Sequence, residues 1–579
     1  MDAAKRTINE VFTGTKILDI PFFQRSYVWI ETQWERLLDD VKNVTKTSEP
    51  YFMGSVILKQ QQTPLSETDT RTVIDGQQRL TTLSILLKVL CLKNKSMEKF
   101  NKRFRLDDNR TVIQHNYNDV DAYNAIMNLE KIEPIDREDN ISRAYQYFEK
   151  NLDPNEVDFD RVCNKILFVG IELDHDDDEQ QIFDTINSLG VSLTTAELLK
   201  NYFFGRDDID DYKKYWQNIF EKDDEAKEYW DNEISTGSPK RTFIDLFFYS
   251  YLQIKIQDSK LKVTTDDKLA FYKVETLFDS YKKFIESYCG GKKKSLLTEI
   301  GEYAATFRKS FNLELIDDEL PEKAGIERIN AIIFALDTTT LIPYVLFVER
   351  NVKDLSAKND LYDYIESYIM RRIVTRERTK NYSQLFSERL ISNRILSKQE
   401  LIKYIGGQDD KMNRMPTDED VKTAFNDSCL TNKYATGILY MIESKIRNHN
   451  FQAVRLLSIN KYSLEHLMPK KWHTHWDSPK GTYTDEYRDK KLLTLGNLTI
   501  ITQSLNSSIR NANWATKKSG QKGKGAGLQE YANGLETLSS YLKKDVWDED
   551  AIKERASYLS TKALEIWSSK QQKKQPTKS

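Results

Sequence analysis

The chain has 579 residues, with 86 basic and 89 acidic side chains, a net charge of −3 and six histidines. Hydrophobic residues make up 39% and aromatic residues 11%, which excludes a disordered chain, and the length predicts about three domains. The four cysteines are widely spaced, which argues against a disulfide framework or a cysteine zinc site. We find no apolar run typical of a signal peptide or a membrane span, and therefore expect a cytoplasmic protein without a membrane partner.

The near-neutral total conceals an asymmetry. Residues 451–579 contain 22 basic and 13 acidic side chains, a net charge of +9, so the rest of the chain carries −12. Between Lys490 and Gln529 there are seven basic residues and no acidic one, and four of the six histidines lie between His449 and His475. Such a segment attracts a polyanion, although a solvated basic face has the same composition.

Strand and helix patterns alternate in the first 205 residues. A strand is predicted to pass into a helix at Asp75, because Arg79–Leu92 carries leucines at helical spacing. Ile166–Leu173 predicts a second strand. Two helices are predicted after it, over Gln180–Asn187 and over Thr195–Phe204, the second opened by a capping box of Thr194 and Glu197. This alternation favours an α/β or α+β first domain.

The remaining chain divides into three parts. Residues 206–425 have few glycines or prolines and predict a helical region without a chemical motif. Residues 426–570 begin with a helix, predicted near Lys433–Ile446, and include the histidine-rich segment. Residues 571–579 form a polar, basic tail. The expected fold class is therefore a helix-rich, multidomain α+β protein.

A polar string stands at the first strand-to-helix junction. It consists of Asp75, Gly76, Gln77, Gln78 and Arg79. The carboxylate can hold a metal or orient water, glycine permits a tight turn, and arginine can bind phosphate through two donors. The following helix N-terminus adds backbone donors. The alternative is a polar turn that caps a buried helix.

A second constellation lies in the basic C-terminal region. Glu465 and His466 precede Asn497, which opens a predicted strand, and Asn506 lies in the first turn of the next predicted helix. Phosphodiester hydrolysis needs a base for water and charge stabilisation at the phosphate, which a neutral histidine and one divalent cation supply. Oxygen and imidazole ligands favour Mg²⁺ or Mn²⁺. A core or capping histidine is the alternative.

Two further histidines, His473 and His475, have a spacing that suggests zinc binding together with His466. No fourth ligand is evident nearby, so we favour solvated or DNA-facing histidines.

The N-terminal motifs together resemble a known family. The segments PFFQRSYVW, FMGSVIL, IDGQQRLTTL and FDTINSLGVSLTTAELLKN occur in order and resemble the N-terminal domain of GmrSD-type modification-dependent restriction enzymes. The resemblance implies a ParB/sulfiredoxin-like α/β fold, with nucleoside triphosphate binding and hydrolysis at Asp75–Arg79. It gives Phe23, Gln24 and Arg25 a part in sensing modified DNA. Asn187 and Gly190 match a further pair, which is either a ligand contact or a capped helix end.

The C-terminal motifs are similar to the HNH, or ββα-metal, nuclease domain that accompanies this N-terminal domain. The resemblance rests on EHLMP, the GNLTI strand and the asparagine-containing helix after it. It implies the following roles: general base, His466; metal ligands, Glu465 and Asn506; a further motif position in catalysis, Asn497; phosphate contact, Lys517.

The sequence and the two resemblances together predict a type IV restriction endonuclease for anti-phage defence. Residues 1–205 would bind a nucleotide and sense modified DNA, 206–425 would couple the domains, and 426–570 would cut. The expected substrate is double-stranded DNA carrying glucosylated hydroxymethylcytosine or phosphorothioate, with Mg²⁺ or Mn²⁺ and a nucleoside triphosphate as cofactors. Paired cuts in a duplex favour a homodimer. Two alternatives are a nucleotide-switched DNA-binding protein with an inactive HNH domain and a nuclease for unmodified DNA or RNA.

Overall fold

The computed structural model describes residues 2–569 except 22–23, 25, 48, 62, 64–67, 117, 175–194, 205–207, 236–239, 291, 408–411, 448–455, 522–524 and 532–533. The chain forms two compact units, residues 1–216 and 217–579. Within the described residues, no helix is both long enough and apolar enough to cross a membrane.

The first unit combines a sheet with helices. Its strands are β1 Asp2–Thr7, β2 Ile17–Asp19, β3 Tyr51–Gln60, β4 Thr70–Asp75, β5 Ile113–Gln114 and β6 Ile166–Leu173. Its helices are α1 Ile8–Val11, α2 Glu31–Thr47, α3 Gln77–Lys93, α4 Met97–Phe104, α5 Val120–Met127, α6 Asn140–Asn151, α7 Phe159–Lys165, α8 Thr195–Phe203 and α9 Ile209–Tyr212, followed by a π-helix over Lys213–Gln217.

The sheet is mixed, and its described strands lie in the order β1-β6-β3-β4-β2-β5. β3 pairs in parallel with β6 and antiparallel with β4, and the register shifts within β3 on both sides, between Phe52 and Ser55 and between Ile57 and Leu58. Such irregularities bend a strand and re-aim its side chains. The strand and helix predicted around Asp75 are confirmed as β4 and α3, as is the strand Ile166–Leu173.

Helix α3 runs through the core of the first unit. Almost every residue after its first turn is buried, including Leu80, Leu83, Leu87 and Leu90 of the predicted stripe. A helix that is apolar on all sides is one enclosed by its neighbours. Lys88, the charge that interrupts the run, is buried and donates to the carbonyl of Met127 at 2.8 Å. The helix therefore holds the Asp75–Arg79 string on a rigid base.

The second unit is largely helical. Its strands are β7 Glu233–Ser235, β8 Lys240–Thr242, β9 Tyr462–His466, β10 Leu498–Thr502, β11 Gly520–Gln521 and β12 Gly525–Ala526. Its α-helices are α10 Asn218–Phe220, α11 Asp224–Asp231, α12 Phe243–Ile256, α13 Thr265–Phe271, α14 Leu277–Tyr288, α15 Lys293–Ser310, α16 Ile326–Asn330, α17 Ile342–Asn351, α18 Leu355–Val374, α19 Leu390–Ser392, α20 Lys398–Gly406, α21 Asp418–Asp427, α22 Asn432–Ile446, α23 Asp485–Lys491, α24 Gln503–Ile509, α25 Trp514–Ser519, α26 Leu528–Tyr531 and α27 Glu549–Ile566.

Shorter helices complete the second unit. The 3₁₀ turns are Val274–Thr276, Leu313–Ile316, Thr339–Leu341, Ile459–Lys461, Trp472–Thr474, Leu495–Asn497 and Ser539–Lys543, and the π-helices are Ala331–Ala335 and Ser383–Arg389. The helical character predicted for residues 206–425 is confirmed where they are described, apart from the short β7–β8 hairpin.

A buried polar network joins the helical middle of the chain to its C-terminal region. Glu366 of α18 accepts two bonds from Arg328, at 2.7 and 2.8 Å, and one from the indole of Trp567 at 3.1 Å. Arg371, one turn further on, donates to the Trp567 carbonyl at 2.8 Å. Burial opposes ionisation of Glu366, but Arg328 and Lys445 outweigh it and lower its pKa to about 2. The network crosses the expected boundary at residue 425, and that boundary stays a prediction.

Candidate functional sites

The first candidate site begins where β4 passes into α3. Gly76 has φ 102°, and no side chain caps the helix. A β-carbon at Gly76 would lie 2.9 Å from Cγ2 of Val56 and in a conformation that favours glycine. The tight turn therefore requires glycine, and the N-cap residue itself supplies no side-chain hydrogen bond to α3.

Asp75 and Arg79 are bonded to each other across this turn. Nη2 of Arg79 donates to Oδ2 of Asp75 at 2.9 Å and to the carbonyl of Ser55 at 2.7 Å. The Ser55 hydroxyl donates to the same carboxylate oxygen at 2.8 Å. Gly54 has φ 110°, and a β-carbon there would lie 2.7 Å from Nη1 of Arg79. The irregular part of β3 thus forms the wall against which Arg79 lies.

Gln78 is turned toward a neighbouring loop. Its Oε1 accepts from the amide of Val28 at 2.9 Å, and its Nε2 donates to the carbonyl of Ser26 at 3.3 Å. Nε2 of Gln24, in the same loop, donates to the carbonyl of Val73 at 2.6 Å. Gln24 and Gln78 therefore fasten the loop to β4 and α3. The roles that the resemblance implies for them, in sensing and in nucleotide binding, stay predictions. Gln77 is buried at the start of α3.

Tyr27 anchors the same loop deeper in the core. Its hydroxyl lies 2.7 Å from Oγ1 of Thr82 and accepts from the indole of Trp34 at 2.8 Å. Its amide donates to Oδ2 of Asp119 at 2.7 Å. Burial raises the pKa of Asp119 to about 6. Tyr27 therefore fixes the loop to three separate parts of the first unit, at Thr82, Trp34 and Asp119.

Several predicted residues lie outside the described part of the chain. These are Phe23 and Arg25 of the sensing element, the helix Gln180–Asn187 with Asn187, Gly190, and Thr194 of the capping box. The helix predicted over Thr195–Phe204 is confirmed as α8.

The second candidate site is formed by β9, β10 and α24 in the second unit. The two strands pair antiparallel, with His466 opposite Leu498 and Glu465 opposite Thr499. Nδ2 of Asn506 in α24 donates back to β9, to Oγ of Ser463 at 3.2 Å and to the carbonyl of Leu464 at 3.1 Å. Two antiparallel strands followed by a helix that packs on them give a local ββα arrangement, with His466 at the end of its first strand.

The buried side chain of Asn497 bonds to three other parts of the chain. Its Oδ1 accepts from the amide of Met468 at 2.9 Å and from the indole of Trp547 at 3.0 Å. Its Nδ2 donates to the carbonyls of Met468 at 2.9 Å and Leu492 at 3.0 Å. These four bonds use the hydrogen-bonding capacity of a side-chain amide. Asn497 therefore shapes the segment after His466, and its side chain has no donor or acceptor left for a substrate.

The turn that carries Asn497 is held from behind by α27. The Arg555 guanidinium donates to the carbonyls of Leu495, Gly496 and Leu498 at 3.2, 2.9 and 2.7 Å. A β-carbon at Gly496 would lie 2.2 Å from the carbonyl oxygen of Ile552, so glycine is required for this close approach. Nothing in the spacing of the motif predicted this support.

Glu465 and Lys517 form a buried ion pair. Nζ of Lys517 contacts Oε1 of Glu465 and donates to the carbonyl of His466 at 2.6 Å. Lys517 is fully buried and Glu465 is 6% exposed. Burial raises the pKa of Glu465 and lowers that of Lys517, and the charge of each partner opposes the shift of the other. Lys517 is therefore bonded inside the protein, whereas the family resemblance implied a phosphate contact for it.

His466 is half-buried at the end of β9. Burial, with the positive charges of Lys470 and Lys517, lowers its pKa to about 4. The imidazole is therefore neutral at pH 7, the form that accepts a proton. Within the described residues, no hydrogen bond orients either ring nitrogen.

The donors at this site suit a hard divalent cation in part. Ser463 and Glu465 share one face of β9, since alternate strand residues do, and Asn506 contacts Ser463. A carboxylate and an amide oxygen are ligands that Mg²⁺ accepts when water or phosphate completes the shell. However, Lys517 already neutralises the Glu465 carboxylate, and a cation would compete with it. In the described chain, no three His, Cys, Asp or Glu side chains form a metal-binding group.

His473 and His475 lie on the exposed 3₁₀ turn after β9 and at its end. The His473 ring stacks on Trp472 with 3.9 Å between centroids. Neither histidine joins a metal-binding group with His466 among the described residues, so the solvated interpretation agrees with their exposure.

The sequence alone assigned no role to four residues that support the two sites. Ser55, Asp119, Trp547 and Arg555 lie 20 to 92 positions from the residues they contact, as the separations of their hydrogen bonds show. The glycine in FMGSVIL was a usable signal, because glycine inside a strand often marks a bulge.

Family comparisons cover both sites. The model described as GmrSD restriction endonuclease, N-terminal domain, matches residues 8–204, and the model described as GmrSD restriction endonucleases, C-terminal domain, matches residues 415–562. No curated protein matches the chain.

Proposed function

Because the chain belongs to the GmrSD restriction endonucleases, type IV restriction nucleases, we propose that it cleaves modified double-stranded DNA at the ββα site of its second unit. The observation that carries the proposal is the placement of a neutral His466 at the end of β9, beside β10 and α24, within the residues matched by the C-terminal family model. The proposed local fold is the HNH fold.

In this proposal His466 takes a proton from the attacking water. Its lowered pKa keeps it unprotonated over the physiological range, so the base is ready before substrate binds. Glu465 and Asn506 would hold Mg²⁺ or Mn²⁺, which when bound neutralises charge on the phosphate and the leaving oxygen. Asn497 and Lys517 are positioning residues: the first fixes the segment after His466, and the second fixes Glu465 and the His466 carbonyl.

The first unit is proposed to bind and hydrolyse a nucleoside triphosphate on a ParB/sulfiredoxin-like domain. The N-terminus of α3 would direct its helix dipole at phosphate, and Asp75 and Arg79 form an ion pair beside it. Phe23, Gln24 and Arg25 remain the proposed sensing element. Since Gln78 bonds the loop at Ser26 and Val28, nucleotide at α3 would affect that loop directly. A homodimer would allow both DNA strands to be cut.

One observation favours the alternative of a nucleotide-switched DNA-binding protein. The carboxylate assigned to the metal is already paired with Lys517 in a buried position. A site in which that pair never opens would bind DNA without cutting it.

A substrate panel tests the proposal. The full chain is incubated with plain, glucosyl-hydroxymethylcytosine and phosphorothioate duplexes and with RNA, each with and without Mg²⁺ or Mn²⁺ and a nucleoside triphosphate. We expect metal-dependent cuts in one modified duplex, at a rate that changes when nucleotide is added. Binding without cleavage under every condition would support the alternative, and cleavage confined to RNA or plain DNA would contradict modification dependence.

A further inference from the structure

Helix α24 ends in a turn that normally carries glycine, and here it carries arginine. Arg510 has φ 32° and ψ −124°. The amide of Ala512 donates to the carbonyl of Ile509 at 3.1 Å. A turn closed by this bond, with such angles at its second residue, is of the type II′ kind, which strongly favours glycine at that position. Because arginine, unlike glycine, has a β-carbon, the backbone of Arg510 is strained in this conformation.

Neighbouring bonds fix this turn and orient the arginine. The amide of Arg510 donates to the Asn506 carbonyl at 3.1 Å, and the indole of Trp476 donates to the Ala512 carbonyl at 3.1 Å. Nε of Arg510 donates to the Ser507 carbonyl at 3.0 Å. The side chain is exposed, and in the described part of the chain no carboxylate forms an ion pair with it. Among the described residues, the two terminal nitrogens of Arg510 have no hydrogen-bond partner, while its Nε is fixed by Ser507.

The position of Arg510 connects it to the candidate cleavage site. It follows Asn506 by one helical turn, in the stretch from Lys490 to Gln529 that has no acidic residue. Nearby cations are used inside the protein: Lys517 contacts Glu465, and Lys518 donates to the carbonyl of Lys544 at 2.8 Å. Arg510 is an exposed cation at the C-cap of the helix that bonds β9.

We propose that Arg510 binds a backbone phosphate of the DNA next to the bond that is cut, and that the strained turn is retained because it directs the guanidinium at this phosphate. The inference rests on the proposed DNA cleavage by the second unit. A guanidinium binds phosphate through two charge-assisted bonds, which position the duplex without reading its sequence. Strain retained at a surface turn beside a site is consistent with such a use.

The test compares Arg510→Gly with Arg376→Gly in the full chain, both in a His466→Ala background so that DNA stays uncut. Arg376 is a matched control, because it is exposed, has φ 56° and lies in the helical middle of the chain. Binding of a plain duplex is measured by fluorescence anisotropy over a range of salt, and thermal unfolding is measured alongside. Cleavage is measured for Arg510→Gly with His466 intact.

For Arg510→Gly we expect a melting temperature higher by about 2 °C, since glycine relieves the strain. We also expect affinity about tenfold weaker, a salt slope smaller by about 1 and slower cleavage. Arg376→Gly should keep the affinity and salt slope. Unchanged affinity and slope in Arg510→Gly, or a lower melting temperature, would overturn the inference while leaving cleavage by His466 intact. A wild-type chain that neither binds nor cuts DNA would overturn the proposed function together with it.

Discussion

Two side chains assigned to chemistry from the motif, Asn497 and Lys517, are bonded inside the protein. The Asn497 amide makes four hydrogen bonds to protein groups in place of water. The Lys517 ammonium is bonded to one carboxylate and one carbonyl. A buried charge is retained only when it is paired, and removing one partner of such a pair costs about 3–5 kcal/mol. The motif thus contains residues that hold the site as well as residues placed to act in it.

At this scale the sequence could predict residue types and spacing, because His466 at a strand end and Asn506 in the next helix follow from local patterns. It could not predict burial. The partners of Asn497 include Trp547, and the turn is held by Arg555, both more than 45 positions away and without a motif of their own.

The pH dependence of cleavage follows from His466. A base whose pKa is lowered from 6.5 to about 4 loses activity only when pH falls below that value, because protonation then removes the acceptor. We therefore expect the acidic limb of kcat/KM against pH to have its midpoint well below the ordinary histidine value of 6.5, measured with the full chain and a duplex substrate over the range in which it stays folded.

A midpoint near 6.5 would contradict the buried environment of His466. His473 provides the control, since it is exposed and replacing it should leave the limb in place.

Among the elements, α3 and the loop that includes Ser26 and Val28 behave as one structure. The loop is bonded to α3 through Gln78 and through the contact of Tyr27 with Thr82. It is bonded to β4 through Gln24. The strand and helix themselves were predictable from apolar spacing. Their attachment to the loop was not, because a polar side chain in a motif gives no indication of whether it faces a ligand or the backbone of another segment.

Replacing Gln78 by alanine tests this attachment. The change removes the acceptor for the Val28 amide and the donor for the Ser26 carbonyl. One lost hydrogen bond of about 1 kcal/mol should speed amide exchange about fivefold at Val28. Hydrogen exchange with mass spectrometry over residues 26–30 measures it.

Gln146→Ala is the control, because the Gln146 amide donates to the carbonyl of Ile135 at 2.7 Å, and this change should leave that exchange unchanged. Equal protection of residues 26–30 in wild type and in Gln78→Ala would show that the loop is held without Gln78.

In the whole molecule, charge and chemistry are divided along the chain. The basic C-terminal segment includes His466 and Arg510, while the N-terminus of α3 lies in the first unit, within the acidic remainder. The family architecture and this division were accessible from ordered motifs and charge counts. The sharing of one buried network by the helical middle and the C-terminal region was not, because Glu366 and Trp567 are 201 positions apart.

If DNA cleavage belongs to the second unit and nucleotide hydrolysis to the first, one substitution should abolish cleavage and leave hydrolysis intact. The most direct measurement compares His466→Ala with His473→Ala for DNA cleavage and for nucleotide hydrolysis in the same preparations. His466→Ala should lose cleavage by at least about 100-fold, the contribution of a general base, and keep hydrolysis. His473→Ala should keep both. DNA cleavage by His466→Ala at the wild-type rate would contradict the account.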